Sequence, residues 1–305
     1  MKGINGYNLF NELKTTNSGF SKWGFAQKNG REFFIKELID PIYPTCSDLL
    51  DATVLARKRD ICEQFENRSK LLYRAINDCS DGNLVYIEDF FRCGSHYYIV
   101  MEKVDAISID EVRRIHADDK LRICKALVHC LGQMHEAGIV HADIKLDNVL
   151  FRRLPSGKVT GKLIDFDNCF WEAQPPRPDE EIHGDLVYMA PETFMMMQTE
   201  EGTIGRAIDV FALGIVFHQI FTDRIPGFDT EKYDYPFEAV LDGVELEVAD
   251  EIPCEWRRLI AQMLKASPDK RISLSAAESV LKGGTDTVEI ATATDSYLTP
   301  AGDLI

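Results

Sequence analysis

The sequence predicts an α+β chain in two lobes, and three observations carry that expectation. The first hundred residues hold strand-like runs around one long helical stretch, whereas the residues after Val104 hold apolar helical stripes. At 305 residues the chain has ample material for two lobes. No internal repeat argues for a solenoid or array instead. A cleft between two such lobes is a common place for a small ligand.

REFFIKEL (31–38) and HYYIVMEKV (96–104) are rich in β-branched and aromatic residues and flanked by polar or glycine-containing turns, so both are predicted strands. Between them, residues 48–77 are predicted as a helix broken near its start, with Ile61, Phe65, Leu72 and Ile76 on one face. SDGNL (80–84) is turn material. After Val104, Leu121, Cys124, Leu127, Val128 and Leu131 form one helical stripe, and Gly138 suits its C-terminal stop. Further apolar helices are predicted at about 208–221 and 255–265. The expected organisation is a strand-rich lobe over 1–104, a helical lobe over 105–283 and a tail over 284–305 holding seven hydroxyl side chains.

Hydrophobic content of 45% and charged content of 28% are ordinary globular values. With 34 basic and 50 acidic side chains, the net charge of −16 works against a reader of nucleic-acid backbones, which needs a concentrated basic face. The eight cysteines form no CxxC pair and no His/Cys cluster of zinc spacing, which fits reduced thiols in the cytosol. MKGINGYNLFNELK has no apolar leader region, and the most hydrophobic run, FALGIVFHQIF, is too short to span a bilayer. The expectation is a soluble cytoplasmic protein without a membrane segment.

HADIKLDNVLF (141–151) crowds a carboxylate, an ammonium and an amide into a few positions. Phosphoryl transfer from a nucleotide needs a group to accept the proton of the acceptor hydroxyl, cations to offset phosphate charge, and metal ligands. Asp143 can take the proton, Lys145 can reach the transferring phosphate, and Asn148 can offer Mg²⁺ a neutral oxygen. A second metal carboxylate is available in Asp165, 17 residues after Asn148 at the end of the apolar run in KLIDFDNC.

These residues resemble the eukaryotic-type serine/threonine protein kinases, from about residue 10 to 283. HADIKLDN stands where that family has H-R-D-L-K-x-x-N, DFD (165–167) where it has D-F-G, and APE (190–192) is intact. DVFALG (209–214) is similar to the family's D-V-W-S-L-G helix, and PDKRIS supplies Arg271 as partner for Glu192. The resemblance implies a bilobal protein kinase-like fold that uses ATP and Mg²⁺ on serine or threonine hydroxyls of protein substrates. Lys145, two residues after Asp143, favours those hydroxyls over tyrosine. It implies Asp143 and Lys145 as catalytic and Asn148 and Asp165 as metal-binding. Lys36 in FFIK would pair with the nucleotide phosphates, oriented by Glu66 or by Glu63 three residues earlier. Ser18, Gly19, Phe20, Ser21 and Trp23 would form the phosphate loop. Met101, Glu102, Val104 and Leu150 would surround the base.

Several positions depart from the family. TNSGFSKW puts Thr16, Ser18 and Ser21 at the glycine positions and Trp23 at the valine, and Phe34 replaces the alanine that lies against adenine. Ala142 replaces an arginine that in much of the family holds an activation-segment phosphate, and residues 165–186 contain no Ser, Thr or Tyr. The enzyme is therefore expected not to depend on activation-loop phosphorylation. Asp185 replaces a threonine and could either pair with Lys145 or hinder it. Asp167 replaces a glycine and is expected to restrain Phe166. Two other readings compete: a small-molecule phosphotransferase like the aminoglycoside or choline kinases, and a pseudokinase that binds partners. Lys145, the APE triplet, Asp209 and Arg271 argue against the first, and the presence of Lys36, Asp143, Asn148 and Asp165 argues against the second.

Overall fold

Two Asn-Gly pairs set the start of the fold. Asn5-Gly6 (φ 48° and 81°) and Asn29-Gly30 (φ 52° and 78°) both lie in the left-handed region that tight two-residue hairpins require. The first joins β1 (Gly3–Ile4) to β2 (Tyr7–Leu9); the second joins β3 (Ser21–Lys28) to β4 (Arg31–Leu38). The computed structural model describes residues 3–15, 21–45, 51–177 and 184–282. Ser18, Gly19, Phe20 and the tail hydroxyls therefore lie outside the described residues. The chain divides into two compact units, Met1–Asp105 and Ala106–Ile305.

In the first unit, α1 (Ala52–Asp78) separates β4 from β5 (Ile87–Cys93) and β6 (His96–Glu102). The six strands form one antiparallel sheet in the order β1-β2-β3-β4-β6-β5. Although three strands separate β2 from β5, Tyr7 stacks on Phe91 with ring centroids 6.0 Å apart, and its hydroxyl donates to Asp89 Oδ2 at 3.4 Å. The sheet thus curls until its second and last strands meet. Inside the curl lies a cluster of Ile4, Tyr7, Leu9, Ala26, Phe33, Ile35, Tyr98 and Val100. Successive residues of a strand face opposite sides, so Trp23, Phe34, Lys36 and Ile99 share the other face.

That second face carries α1. Phe65 packs edge-on against Tyr97 (5.2 Å), Tyr73 against Phe90 (5.3 Å), and the Tyr97 hydroxyl donates to Cys62 O at 3.2 Å. Asp51 caps the helix by accepting from Thr53 N, and α1 runs unbroken from Ala52 to Asp78, while residues 48–50 of the predicted stretch lie outside the described residues. Of the predicted face, Phe65, Leu72 and Ile76 turn inward and Ile61 does not. Ile61 is half exposed, while Cys62, Ser69, Leu72, Tyr73 and Ile76 are buried, because the aromatic contacts to β5 and β6 decide which side turns inward.

The second unit opens with β7 (Ala106–Ile107), α2 (Ile109–Arg113) and α3 (Ala117–Glu136). Gly138, at φ 74°, stops α3 as predicted and donates to His135 O. The buried stripe of α3 includes Ile123, Cys124, Leu127, Val128 and Leu131, with Leu121 half-buried at its edge. Then come β8 (Ile139–Val140), β9 (Val149–Arg153), β10 (Val159–Leu163) and β11 (Phe170–Trp171), paired antiparallel as β10-β9-β7 and β11-β8. The remaining helices are α4 (Pro191–Thr199), α5 (Ala207–Thr222), α6 (Pro236–Leu241), α7 (Cys254–Met263) and α8 (Leu274–Leu281). Helix α5 is mostly apolar and is buried along most of its length, with Phe211, Leu213, Ile215, Val216 and Phe217 inaccessible. Among the described residues no helix is long and apolar enough to cross a membrane.

Candidate active site

The polar run 141–148 is the connection between β8 and β9, and Asp165 lies just beyond β10. Strand register brings the two together. Val149 pairs with Leu163, and the Ile164 N–H donates to Asn148 O at 3.0 Å. The Ile164 carbonyl in turn accepts from His141 Nε2 at 3.2 Å. The peptide preceding Asp165 is thus held from both ends of the loop that contains Asp143. His141 Nδ1 accepts the Asp143 N–H at 3.3 Å, which fixes a neutral tautomer carrying its proton on Nε2.

Within the loop, Asn148 Nδ2 donates to Asp143 O (2.8 Å) and to Asp143 Oδ2 (2.9 Å). Lys145 Nζ reaches both carboxylate oxygens, at 2.8 Å and 3.1 Å. Asp143 is 9% exposed and Asn148 4%, so the carboxylate is oriented by an amide and an ammonium in partly water-excluded surroundings. With its nitrogen engaged, the Asn148 amide keeps Oδ1 as an oxygen donor.

The loop is anchored from below by Asp209 on α5. Its Oδ2 accepts from His141 N (2.8 Å) and lies 2.9 Å from His135 Nε2, while Oδ1 accepts from Ala142 N (2.8 Å). Ala142 stands at φ 63° and Asp165 at φ 68°. Such left-handed positions cost a residue with a Cβ about 1–3 kcal/mol and persist where the surroundings fix them. The two N–H bonds to Asp209 do so at Ala142. Phe166 is buried and packs edge-on against His141 at 5.6 Å. Cys169, also buried, reports the local field. Burial pushes its thiol well above the ordinary value, and Asp209, Asp165, Asp167 and Asp143 push it further.

Asp185 accepts from Val187 N at 2.9 Å, capping its own turn, while the Lys145 ammonium sits on Asp143. The APE segment is held by Arg271, 1% exposed, whose five N–H groups all find acceptors. Nη1 and Nη2 meet the two oxygens of Glu192 at 2.5 Å and 2.7 Å, and the carbonyls of Lys265, Ala207 and Ala266 take the other three. A buried charge is tolerated when paired and bonded in this way.

In the first unit, Lys36 is buried on β4, opposite Trp23 on one side and Ile99 on the other. Glu66 lies next to Phe65 on α1, with Oε1 at 2.5 Å from Lys70 Nζ. The Tyr97 phenol is pushed up to about 12, first by burial, then by Cys62 and by the charge of Glu66. Glu66 is half-buried beside Phe65, which packs on Tyr97, whereas Glu63 is exposed. Ser21 is buried at the start of β3. Trp23 and Phe34 lie nearly parallel, with centroids 5.7 Å apart and planes 20° apart, and Phe25 stands edge-on to both. Met101 is buried opposite Phe34, Glu102 bonds the backbone of Tyr86 through its own N–H and through Oε1, and Val104 is half-buried. Leu150, half-buried on β9 of the second unit, lies opposite Lys162, a buried lysine that the sequence reading passed over.

The family model described as protein kinase domain matches residues 57–282. The chain is 28% identical over 247 residues to the serine/threonine-protein kinase DCLK3 of Mus musculus, covering 77% of this chain and 28% of that protein. It is 30% identical over 174 residues to the serine/threonine-protein kinase PrkC of Bacillus subtilis, covering 55% of this chain and 25% of that protein. The chain thus spans less than a third of the length of either relative. Its fold is similar to that of the Cydia pomonella granulovirus kinase PK-1, with a TM-score of 0.63, 17% identity, and coverage of 90% of this chain and 93% of that one.

Proposed function

The chain belongs to the protein kinase domain family, and from that premise we propose that it transfers a phosphoryl group from ATP, with Mg²⁺, to serine or threonine hydroxyls of protein substrates, without a phosphate on its own activation segment. The observation that carries this reading is the Asp143–Lys145–Asn148 cluster, tied through the Ile164 peptide to Asp165. Asp143 is the group to accept the acceptor hydroxyl's proton as the oxygen attacks. Asn148 and Lys145 orient its carboxylate, so little reorganisation accompanies the reaction. Lys145, paired with Asp143, is the cation assigned to the transferred phosphate.

The donor set fits a hard divalent cation: the Asn148 Oδ1 and the Asp165 carboxylate are the oxygen ligands such an ion prefers. Bound there, Mg²⁺ would offset phosphate charge. Lys36, with Glu66 as its orienting partner, is assigned to the nucleotide phosphates. Met101, Glu102, Val104 and Leu150 are assigned to the base. Ser21 and Trp23 are assigned to the phosphate loop together with Ser18, Gly19 and Phe20, which are outside the described residues.

One observation favours a second reading, a non-catalytic binding module. Trp23 and Phe34 stack on each other where the family carries small aliphatic residues against the base. A labelling assay with ATP, Mg²⁺ and a basic protein separates the two, with the Asp143→Asn variant alongside. The kinase reading expects phosphoserine or phosphothreonine by mass spectrometry and a loss of about a hundredfold or more in the variant. Equal labelling by both chains, or none by either, would sink it.

A further inference from the structure

The segment that follows Asp165 is fastened at its far end by an ion pair that the chemistry above does not use. Glu172 directly follows β11, and its N–H donates to Gly138 O at 2.8 Å, adding one bond to the β8–β11 pairing. Its two carboxylate oxygens both receive Arg206 Nε at 2.8 Å, Oε1 also accepts the Arg206 backbone N–H at 3.2 Å, and Nη2 bonds Oε2. The fit is close, because a Cβ on Gly205 would meet Glu172 Oε1 at 3.1 Å. Burial works to raise the Glu172 carboxyl, but the Arg206 side-chain and backbone bonds outweigh it and hold the group below its ordinary value.

Arg206 immediately precedes α5 and stands three residues before Asp209. The connections therefore close a ring. Asp209 holds the backbone of His141 and Ala142. The chain runs back from His141 into β8, β8 pairs with β11, and Glu172 at the end of β11 returns to Arg206. Asp143 and Asp165 both hang from this ring. In the kinase family an arginine in the position of Ala142 would hold a phosphate on this segment, and residues 165–186 offer no hydroxyl to carry one.

We infer that Glu172 and Arg206 are positioning residues that supply, within the unmodified chain, the anion–guanidinium anchor that holds β11 in place and keeps Asp165 in register with Asp143. The inference rests on the kinase reading and gives that reading its means of working without phosphorylation. Two oxygens on one guanidinium fix orientation as well as position, which a lysine cannot reproduce.

The test uses the full chain with Glu172→Ala, Glu172→Gln, Arg206→Lys and the double variant Glu172→Ala/Arg206→Ala. Two readouts are taken: steady-state kinetics and hydrogen exchange of the amides of residues 168–172. Glu172→Ala is expected to lower kcat about tenfold or more, as small misplacements of reacting groups do, with KM for ATP within about twofold and with faster exchange at Phe170 and Trp171. Glu172→Gln and Arg206→Lys should fall between this variant and the natural chain, and the double variant should be no worse than the single one, as for two halves of one interaction. Arg206→Lys keeps the test open should an alanine variant fail to fold. Unchanged kcat, a loss of kcat with unaltered exchange, or additive effects in the double variant would each overturn the inference. If the natural chain transfers no phosphate, the kinase reading fails separately, and exchange alone then decides whether the pair holds the segment.

Discussion

Replacing Asp209 by Asn tests how the 141–148 loop is held. The substitution keeps the side chain's volume but converts one of two accepting oxygens into an NH₂ group. Asp209 is 1% exposed and faces three donors, His141 N, Ala142 N and His135 Nε2. If the retained oxygen stays on Ala142, the new NH₂ faces the His141 N–H, which is left buried without an acceptor. His135 can change tautomer and accept from the NH₂, so one of the two threatened bonds is recovered. The lost bond to a charged acceptor removes about 1.5–3 kcal/mol. The unpaired N–H and the weaker neutral bonds add to this, for a total of about 2–4 kcal/mol. A domain stable by about 5–15 kcal/mol survives that loss. The loop is affected more than the fold, because the left-handed Ala142 depends on these bonds. Urea unfolding, followed through Trp171 and Trp256 of the second unit, measures the stability, and kcat on the same preparation measures the loop. A midpoint change equivalent to under about 1 kcal/mol, together with kcat within about twofold of the natural chain, would refute the reasoning.

Two further outcomes follow from the bonds around His218 and Phe34. His218 donates through Nδ1 to Arg224 O at 2.6 Å and accepts the Ala249 N–H on Nε2 at 3.2 Å. Burial, with the Arg224 charge, holds its pKa below the ordinary 6.5 although the Arg224 carbonyl pulls upward. The unfolded chain therefore takes up the proton first. His218 contributes fully above about pH 6.5, and stability should fall as pH drops below that value. Urea midpoints between pH 5 and 8 should show a steeper acid decline in the natural chain than in His218→Gln, and equal slopes would contradict the assignment. At the base end, Phe34→Ala removes the ring stacked on Trp23 and should tighten Mg·ATP binding about tenfold, or about 1.4 kcal/mol by calorimetry. Weaker binding would mean that Phe34 itself supports the base.

What the sequence made legible was local. β4 and β6 stand out as β-branched and aromatic runs, and α5 as an apolar run too short for a membrane. Asp143, Lys145 and Asn148 are close in the chain, so their meeting follows from one loop. The first three strands were missed although Asn5-Gly6 and Asn29-Gly30, each with two positive φ angles, are the hairpin signal that locates them. The face of α1 was misjudged at Ile61 because the deciding contacts come from Phe90 and Tyr97, which pairwise spacing within the helix does not report. Partners distant in sequence were the least readable. Asp209 lies 68 residues from His141 and Glu172 lies 34 from Arg206, and in each case the partner includes a backbone N–H that no side-chain pattern encodes.

The pattern of departures also has a physical logic. The residues of the 141–148 loop other than Ala142 keep most of the family's identities, and the bonds around them leave few alternatives. Asp143 is bonded at its N–H, its carbonyl and its carboxylate, and the Ile164 peptide is bonded at both ends. A substitution there would leave a buried polar group without its present partner. The side chains of Trp23 and Phe34, in contrast, stack ring on ring, a contact that tolerates a change of size as long as the face stays covered. Ala142 belongs with the second kind: its side chain makes none of the bonds that hold the loop, and its N–H makes one of them. The arginine of the family can therefore be lost at that position without loosening Asp143, provided the far side of the ring, at Glu172 and Arg206, stays closed.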